Sequence, residues 1–381
     1  MNHTIYLDYA AASPLDDRVL AAMQPYFQES FYNPSAEYLA AKEVAQVLSD
    51  ARATVASNIG ARPTEVIFTA GGTEANNLAI HGVMHLHKGT NIVVSAIEHP
   101  AVLVPAAEYD VRQVPVSAEG IVDLEKLARA IDDKTVLVSV MYANNEVGTI
   151  QPLKEISQLV NTIRADRQRM GNALPIYLHT DACQAAAWLD LHVHRLGVDL
   201  MTLNAGKIYG PKQTGALFVK TGTYLQPQIL GGGQERGQRS GTENVANIVG
   251  FACALELVQA GRRDETARMK QLQTMFIDGL CKAIPGVQLN GSLKHRLPNN
   301  IHVTFPGVDN ERLMMQLDEK GILCAVGSAC SASSEEPSHV LRALGISEED
   351  AQSSLRFTMG KTTTMADIAR TVAALAELVG A

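Results

Sequence analysis

The sequence is short of several features that would settle its class at once. It has a single tryptophan among 381 residues, and Lys and Arg (32) are outnumbered by Asp and Glu (40), leaving a formal charge of −8. No arginine-rich run offsets that balance, so no electrostatic footprint for nucleic acid or an anionic membrane is present, and neither is expected as a partner. No stretch reaches the ~18 consecutive apolar residues of a membrane span. Met1 to Tyr9 also lacks the basic and then apolar pattern of a signal peptide, so a cytoplasmic protein is expected. The five cysteines, at 183, 253, 281, 324 and 330, are scattered and never spaced as paired metal ligands. Neither a disulfide framework nor a metal site is suggested. In a reducing compartment one of them can be chemical while the others are small apolar packing residues. With 46% hydrophobic and 19% charged residues, the chain is apolar enough to fold and too mixed for a disordered tail.

The length is two to three times the usual ~100–200 residues per domain, which predicts one large unit with a smaller companion. Short β-branched runs alternate with helical patterns from about Arg18 to Phe251: Glu65–Phe68, Asn91–Val94, Thr135–Val140, Ile176–Leu178 and Leu200–Leu203. Near-continuous apolar strands separated by helices predict an α/β unit, a mostly parallel sheet covered on both faces. Gly261–Thr266 reads as a polar break. Beyond it come a helix over Met269–Cys281, strands at Ile301–Phe305 and Leu323–Val326, and helices near His339–Leu344 and Ala366–Leu378. The division expected is a large unit over 16–258 and a smaller α+β unit from 1–15 and 259–381.

In such sheets ligands gather beyond the carboxyl ends of the strands, where the polar clusters of this chain fall. Thr69-Ala-Gly-Gly-Thr-Glu-Ala-Asn-Asn77 leads from a strand into a helix, so Gly72 amides and the Thr73 hydroxyl can face a phosphate; an ordinary Gly-rich turn is equally compatible. Asp181, after the strand at 176–178, is either an N-cap or a buried carboxylate facing a cation such as a protonated pyridine nitrogen. Lys207, among small residues after another strand, is a surface lysine or a desolvated amine able to form a Schiff base. Each of these alone has an ordinary structural explanation. In this order on successive strand ends, they are what pyridoxal 5'-phosphate needs: a phosphate grip, a pyridinium partner and a lysine. His99 can stack on the ring and move protons. Asn145 and Gln184 can hydrogen-bond its hydroxyl.

The chain resembles the NifS/IscS-type cysteine desulfurases, within the class V aminotransferase group and the type I fold of pyridoxal-phosphate enzymes. The resemblance is carried nearly end to end by Tyr6-Leu-Asp-Tyr-Ala-Ala11, Gly72-Thr-Glu-Ala-Asn-Asn77, Glu98-His99, Asn144-Asn-Glu-Val-Gly148, Asp181-Ala-Cys-Gln184 and Lys207-Ile-Tyr-Gly-Pro-Lys212. It continues in Arg239-Ser-Gly-Thr-Glu-Asn244, Gly327-Ser-Ala-Cys-Ser-Ala332 and Leu341-Arg-Ala-Leu-Gly345. It implies that Lys207 binds the cofactor covalently, that Asp181 pairs with the pyridine nitrogen, and that His99 stacks on the ring. Asn145 and Gln184 would hold the ring, and Arg356 would bind the substrate carboxylate with Asn145 nearby, a role suited to a planar guanidinium. Thr242 would reach the phosphate in a neighbouring subunit, which makes a homodimer with shared sites the expected assembly.

Cys330 lies among small and polar residues without apolar periodicity, so an exposed loop over 327–337 is expected. The resemblance makes it the acceptor of sulfur from L-cysteine, as a persulfide passed to an acceptor such as an iron–sulfur scaffold protein. A selenocysteine lyase or another class V aminotransferase would use the same lysine and aspartate without that thiol. A non-catalytic sulfur-carrier platform is a further alternative. The chain departs from the family in having Asn204 and Gly206 where a serine and a histidine usually hold the phosphate, which predicts a rearranged grip. Tyr38 stands where a histidine commonly follows Asn-Pro-Ser. The C-terminal extension that resembles a scaffold-docking tail in housekeeping members is also absent from the sequence.

Overall fold

The computed structural model describes residues 4–327 and 338–380. Its strands are β1 (Ile5–Tyr6), β2 (Val66–Thr69), β3 (Asn91–Ser95), β4 (Asp110–Val114), β5 (Thr135–Ser139), β6 (Tyr177–Asp181), β7 (Leu200–Asn204), β8 (Gly215–Val219), β9 (Gln288–Leu289), β10 (Asn300–Thr304), β11 (Ile322–Leu323) and β12 (Ser354–Thr358). A seven-stranded sheet has the order β2-β8-β7-β6-β5-β3-β4. Every residue of β2, β3 and β5 is buried, as a sheet covered by helices on both faces requires. β8 pairs antiparallel with both β2 and β7, while the remaining pairs are parallel. β8 therefore runs alone against the rest, and all the other carboxyl ends share one edge.

Helix Leu39–Ile59 turns Val44, Leu48, Ala51, Val55 and Ile59 inward at three- and four-residue spacing and packs against helix Val245–Ala260. Gly60 ends the first of these at φ 67, and a Cβ there would lie 2.5 Å from the His192 ring. Both the left-handed turn and the close approach require glycine. The second layer of the molecule is a three-stranded antiparallel sheet, β12-β10-β9, beside a parallel pair of β1 with β11. The Thr358 N–H donates to the Leu7 carbonyl at 2.7 Å, so the amino-terminal segment is joined to β12.

The expected α/β class, a mostly parallel sheet with helices plus a smaller α+β part, is the class observed. Several details differ. The break expected over Gly261–Thr266 is confined to Gly261, between helices Val245–Ala260 and Arg262–Ala283; the second begins at once, with Asp264 and Glu265 in its first turn, where acidic side chains complement the helix dipole. The strand expected over Leu323–Val326 stops at Leu323, and Ala325 makes only a single bridge to Arg356. β4, β8 and β12 went unrecognised in the sequence. β4 is an edge strand with Asp110 and Arg112 at least partly exposed, the polar pattern usual at a sheet edge, so no apolar run announces it.

Candidate active site

A cavity opens at the shared carboxyl edge and brings together side chains from several strand ends. Gly72 and Thr73 follow β2, His99 follows β3 and Asn145 follows β5. Asp181 is the last residue of β6 rather than lying beyond it, with Gln184 in the next turn. Asn204 closes β7 ahead of Lys207, and Arg356 arrives from β12.

Asp181 is 8% exposed. Its Oδ2 accepts from Asn76 Nδ2 at 2.7 Å and its Oδ1 from the Cys183 backbone N–H at 2.9 Å. The side chain is thus fixed from a helix on one side and from its own turn on the other. Glu98, also near it, is fully buried; its Oε1 accepts from the Met141 N–H at 2.7 Å while Oε2 has no partner among the described residues. Burial, reinforced by the charge of Asp181, holds the Glu98 carboxyl well above the usual carboxylate range. Burial and the nearby Asp181 carboxyl thus both favour the protonated form of Glu98.

His99 caps helix Pro100–Ala106, its Nδ1 accepting from the Ala101 N–H at 3.0 Å. Burial lowers the ring's pKa against the opposing pull of Asp181. The neutral ring then carries its proton on Nε2, because Nδ1 is committed as an acceptor.

Lys207 Nζ donates to the Ala10 and Ala11 carbonyls at 2.9 and 2.6 Å, and Gln184 Nε2 donates to the same Ala10 carbonyl at 3.0 Å. Arg356 is 1% exposed; its Nη2 meets Asp8 Oδ1 at 2.7 Å and its Nη1 donates to the Asn145 carbonyl at 3.0 Å. Its Nε is buried without a partner among the described residues. Asn145 thus meets the arginine through its backbone while its residue lines the cavity.

At the other end of the cavity, helix Gly72–Leu86 begins behind Gly71 at φ 137, so its first N–H groups face the opening. Gly72 is held small by its neighbour: a Cβ there would fall 2.8 Å from Cys183 Sγ. Asn204 Oδ1 accepts from the Gly206 N–H at 2.9 Å, which leaves its amide nitrogen as the outward donor. Gly206 offers no side chain and lines an adjoining opening together with Asn204 and Lys212.

The aminotransferase class-V profile matches residues 5–371. The chain belongs to the class-V aminotransferase family. Cysteine desulfurase IscS of Dictyoglomus turgidum is 42% identical to it over 100% of this chain and 95% of that protein. Among solved structures, a NifS-like protein superposes with a TM-score of 0.90 at 31% identity, covering 99% of this chain and 100% of its own. SspA, solved in complex with cysteine, gives 0.81 at 33% identity, with coverage of 93% and 99%.

Within this class-V scaffold the sequence reading missed Asn76 and Glu98, which shape the surroundings of Asp181. Cys183, expected to pack near the cofactor site, lines the cavity beside Asp181. Cys281, also expected to pack, is exposed on helix Arg262–Ala283. Thr242 is exposed and does not line the cavity. Tyr38 precedes helix Leu39–Ile59, 54% exposed and edge-on to Tyr32. Cys330 and most of the expected 327–337 loop lie outside the described residues. No helix among the described residues is long and apolar enough to cross a membrane, and no metal-binding cluster is present among them.

Proposed function

We infer that the protein is a pyridoxal-phosphate-dependent cysteine desulfurase, converting L-cysteine to L-alanine and leaving the sulfane sulfur on Cys330. The observation that carries this reading is the gathering of Asp181, His99, Lys207 and Arg356 around one cavity at the strand ends. The residues suit the cofactor. A buried carboxylate stands at one end and a helix N-terminus with the Asn204 amide at the other; the lysine lies between, and the buried Asn76 Oδ1 has no partner among the described residues. Asp181 would pair with the pyridine nitrogen, His99 would lie against the ring, and Gln184 and Asn145 would hold its edge. Gly72, Thr73, Asn204 and Gly206 would receive the phosphate. Bound there, pyridoxal phosphate supplies an electron sink for bonds at the substrate α-carbon.

Lys207 Nζ gives up its bonds to the Ala10 and Ala11 carbonyls and takes the Cα proton. Asp181 would hold a proton at the pyridine nitrogen. His99, neutral with Nε2–H, moves a proton near the substrate. Arg356 orients the substrate carboxylate. The Cys330 thiolate attacks the substrate sulfur: the S–S bond forms as the Cβ–S bond breaks, and the carbon side keeps the electron pair and takes up protons to leave as alanine. Burial pushes the Cys183 and Cys253 thiols up, and that of Cys324 up to about 12, so these three are poor candidates for the attacking thiolate.

A homodimer completes the site, with Thr242 of one subunit reaching the phosphate held by the other; its exposure supports this. The same reading divides the chain into 16–258 and a smaller unit of 1–15 with 259–381, places the protein in the cytoplasm, and passes the persulfide to an iron–sulfur scaffold or another acceptor protein. The test is direct. Protein loaded with cofactor should form alanine from cysteine and carry a cyanide-labile sulfur that Cys330→Ala lacks; no alanine from the wild type, or full turnover by Cys330→Ala, overturns the reading.

A further inference from the structure

We propose that Lys212 is a phosphate ligand of the cofactor site, supplying the positive charge that Gly206 cannot. The inference rests on the cofactor reading above. The opening that adjoins the main cavity is lined by Gly72, Thr73, Asn204, Gly206, Lys207 and Lys212 among others, and it shares four of these six with the main cavity. A phosphate monoester carries roughly −1.5 to −2 charges at neutral pH. Against that, a helix N-terminus offers the equivalent of about half a positive charge. Thr73 and Asn204 are neutral donors. Among the described residues lining the opening the cations are Lys207 and Lys212, and Lys207 is the residue that bonds to the cofactor's aldehyde. Glu74, the carboxylate on the same rim, is already neutralised: it meets Arg239 Nε at 2.9 Å and accepts from the Ala70 N–H at 2.9 Å.

The local geometry favours this use of Lys212. Its stem runs past Gly206, where an added Cβ would lie 3.5 Å from Lys212 Cγ and 3.4 Å from Asn204 Oδ1. A side chain at 206 would therefore occupy the space beside the lysine stem, and its absence leaves that space open. The Lys212 ammonium is held by the Ser13 carbonyl at 3.0 Å, a neutral acceptor that a doubly charged oxyanion outcompetes. The backbone keeps the residue at the rim: its carbonyl accepts from Thr214 Oγ1 and Asn247 Nδ2, each at 3.4 Å, and Gln213 takes the left-handed φ of 57. Lysine and glycine at these two positions thus form one arrangement, in which a flexible ammonium stands in for a fixed ring donor.

The test compares two probes that differ only by the phosphate. Apo-protein, its fold checked by circular dichroism, is titrated with pyridoxal 5'-phosphate and, separately, with pyridoxal. Lys212→Met should raise the dissociation constant for the phosphorylated probe about tenfold or more and leave that for pyridoxal unchanged, the size of a lost charge-assisted bond. Lys212→Arg should retain most of the affinity. Adding Gly206→His to Lys212→Met should restore it. Equal weakening of both probes, or no change in either, overturns the assignment of Lys212 while leaving the cofactor reading intact. A wild type that binds neither probe, or shows no preference for the phosphorylated one, overturns both.

Discussion

The two ends of the cavity are built from the same sheet edge and in opposite manners. At the Asp181 end the carboxylate is buried and held by donors from a helix and from its own turn, with the fully buried Glu98 nearby, its pKa raised by burial. At the Gly206 end there are glycines, an outward amide and an exposed lysine. At the buried end, moving the Asp181 carboxylate would forfeit its bonds to both Asn76 and the Cys183 N–H. The open end tolerates exchange of its donors, since a phosphate needs several hydrogen bonds and not one particular partner. The proposed electronic role thereby falls where the side chain is fixed, and the proposed phosphate binding where donors are replaceable.

That contrast can be broken by substitution. Lys207→Ala lies between the ends and should have the largest effect, with alanine formation falling roughly 10²–10⁴-fold in a steady-state assay and the cofactor's visible band lost. Asp181→Asn should lower kcat by about a hundredfold while the protein still folds, as a charge-assisted contact is exchanged for a neutral one; near-wild-type kcat would show that the buried end is not the electronic one.

The acid response sharpens the same contrast. His179, two residues before Asp181 on β6, is fully buried between Ser139 Oγ at 2.8 Å and Thr202 Oγ1 at 3.1 Å. Burial lowers its pKa from 6.5 to about 4. The unfolded ring takes its proton near 6.5 and the folded ring only near 4, so the folded state binds fewer protons between these values. Its contribution is full above 6.5 and declines as pH falls toward 4, by up to roughly 3 kcal/mol. Thermal melts across that range should show a smaller decline in His179→Gln than in the wild type.

Gly72→Ala should cost about 1–3 kcal/mol by overpacking against Cys183, and Gly72→Ala combined with Cys183→Ala should recover most of it in denaturant melts. The smallest effect belongs to the open end. Gly206→His alone, with Lys212 present, should slow cofactor loss on dialysis only about two- to fourfold, one added hydrogen bond among several.

The gathering of Gly72, Asp181 and Lys207 at one cavity was legible because polar residues follow apolar strand runs, each of the three standing shortly beyond or at the end of one. What positions them was not. Asn76 meets Asp181 across 105 residues of sequence, and no local pattern records such a contact. Cys183 reads as a small apolar residue that its neighbour Asp181 brings near the site, but its contact with the start of helix Gly72–Leu86 has no local signature. β12 carries Arg356 but shows no strand pattern in the sequence, because five buried residues containing Ser, Arg and Thr do not look apolar.

Because β8 alone reverses, the sheet's other edge carries none of the proposed chemistry. The turns leading into β3, β5 and β6 lie there, and Cβ atoms on Gly89 or Gly171 would meet nothing within 4 Å. That edge is an attachment surface. A fluorophore or affinity handle inserted near Gly171 would stand the depth of the sheet away from the cavity, so binding could be followed optically in a working enzyme without disturbing what is measured.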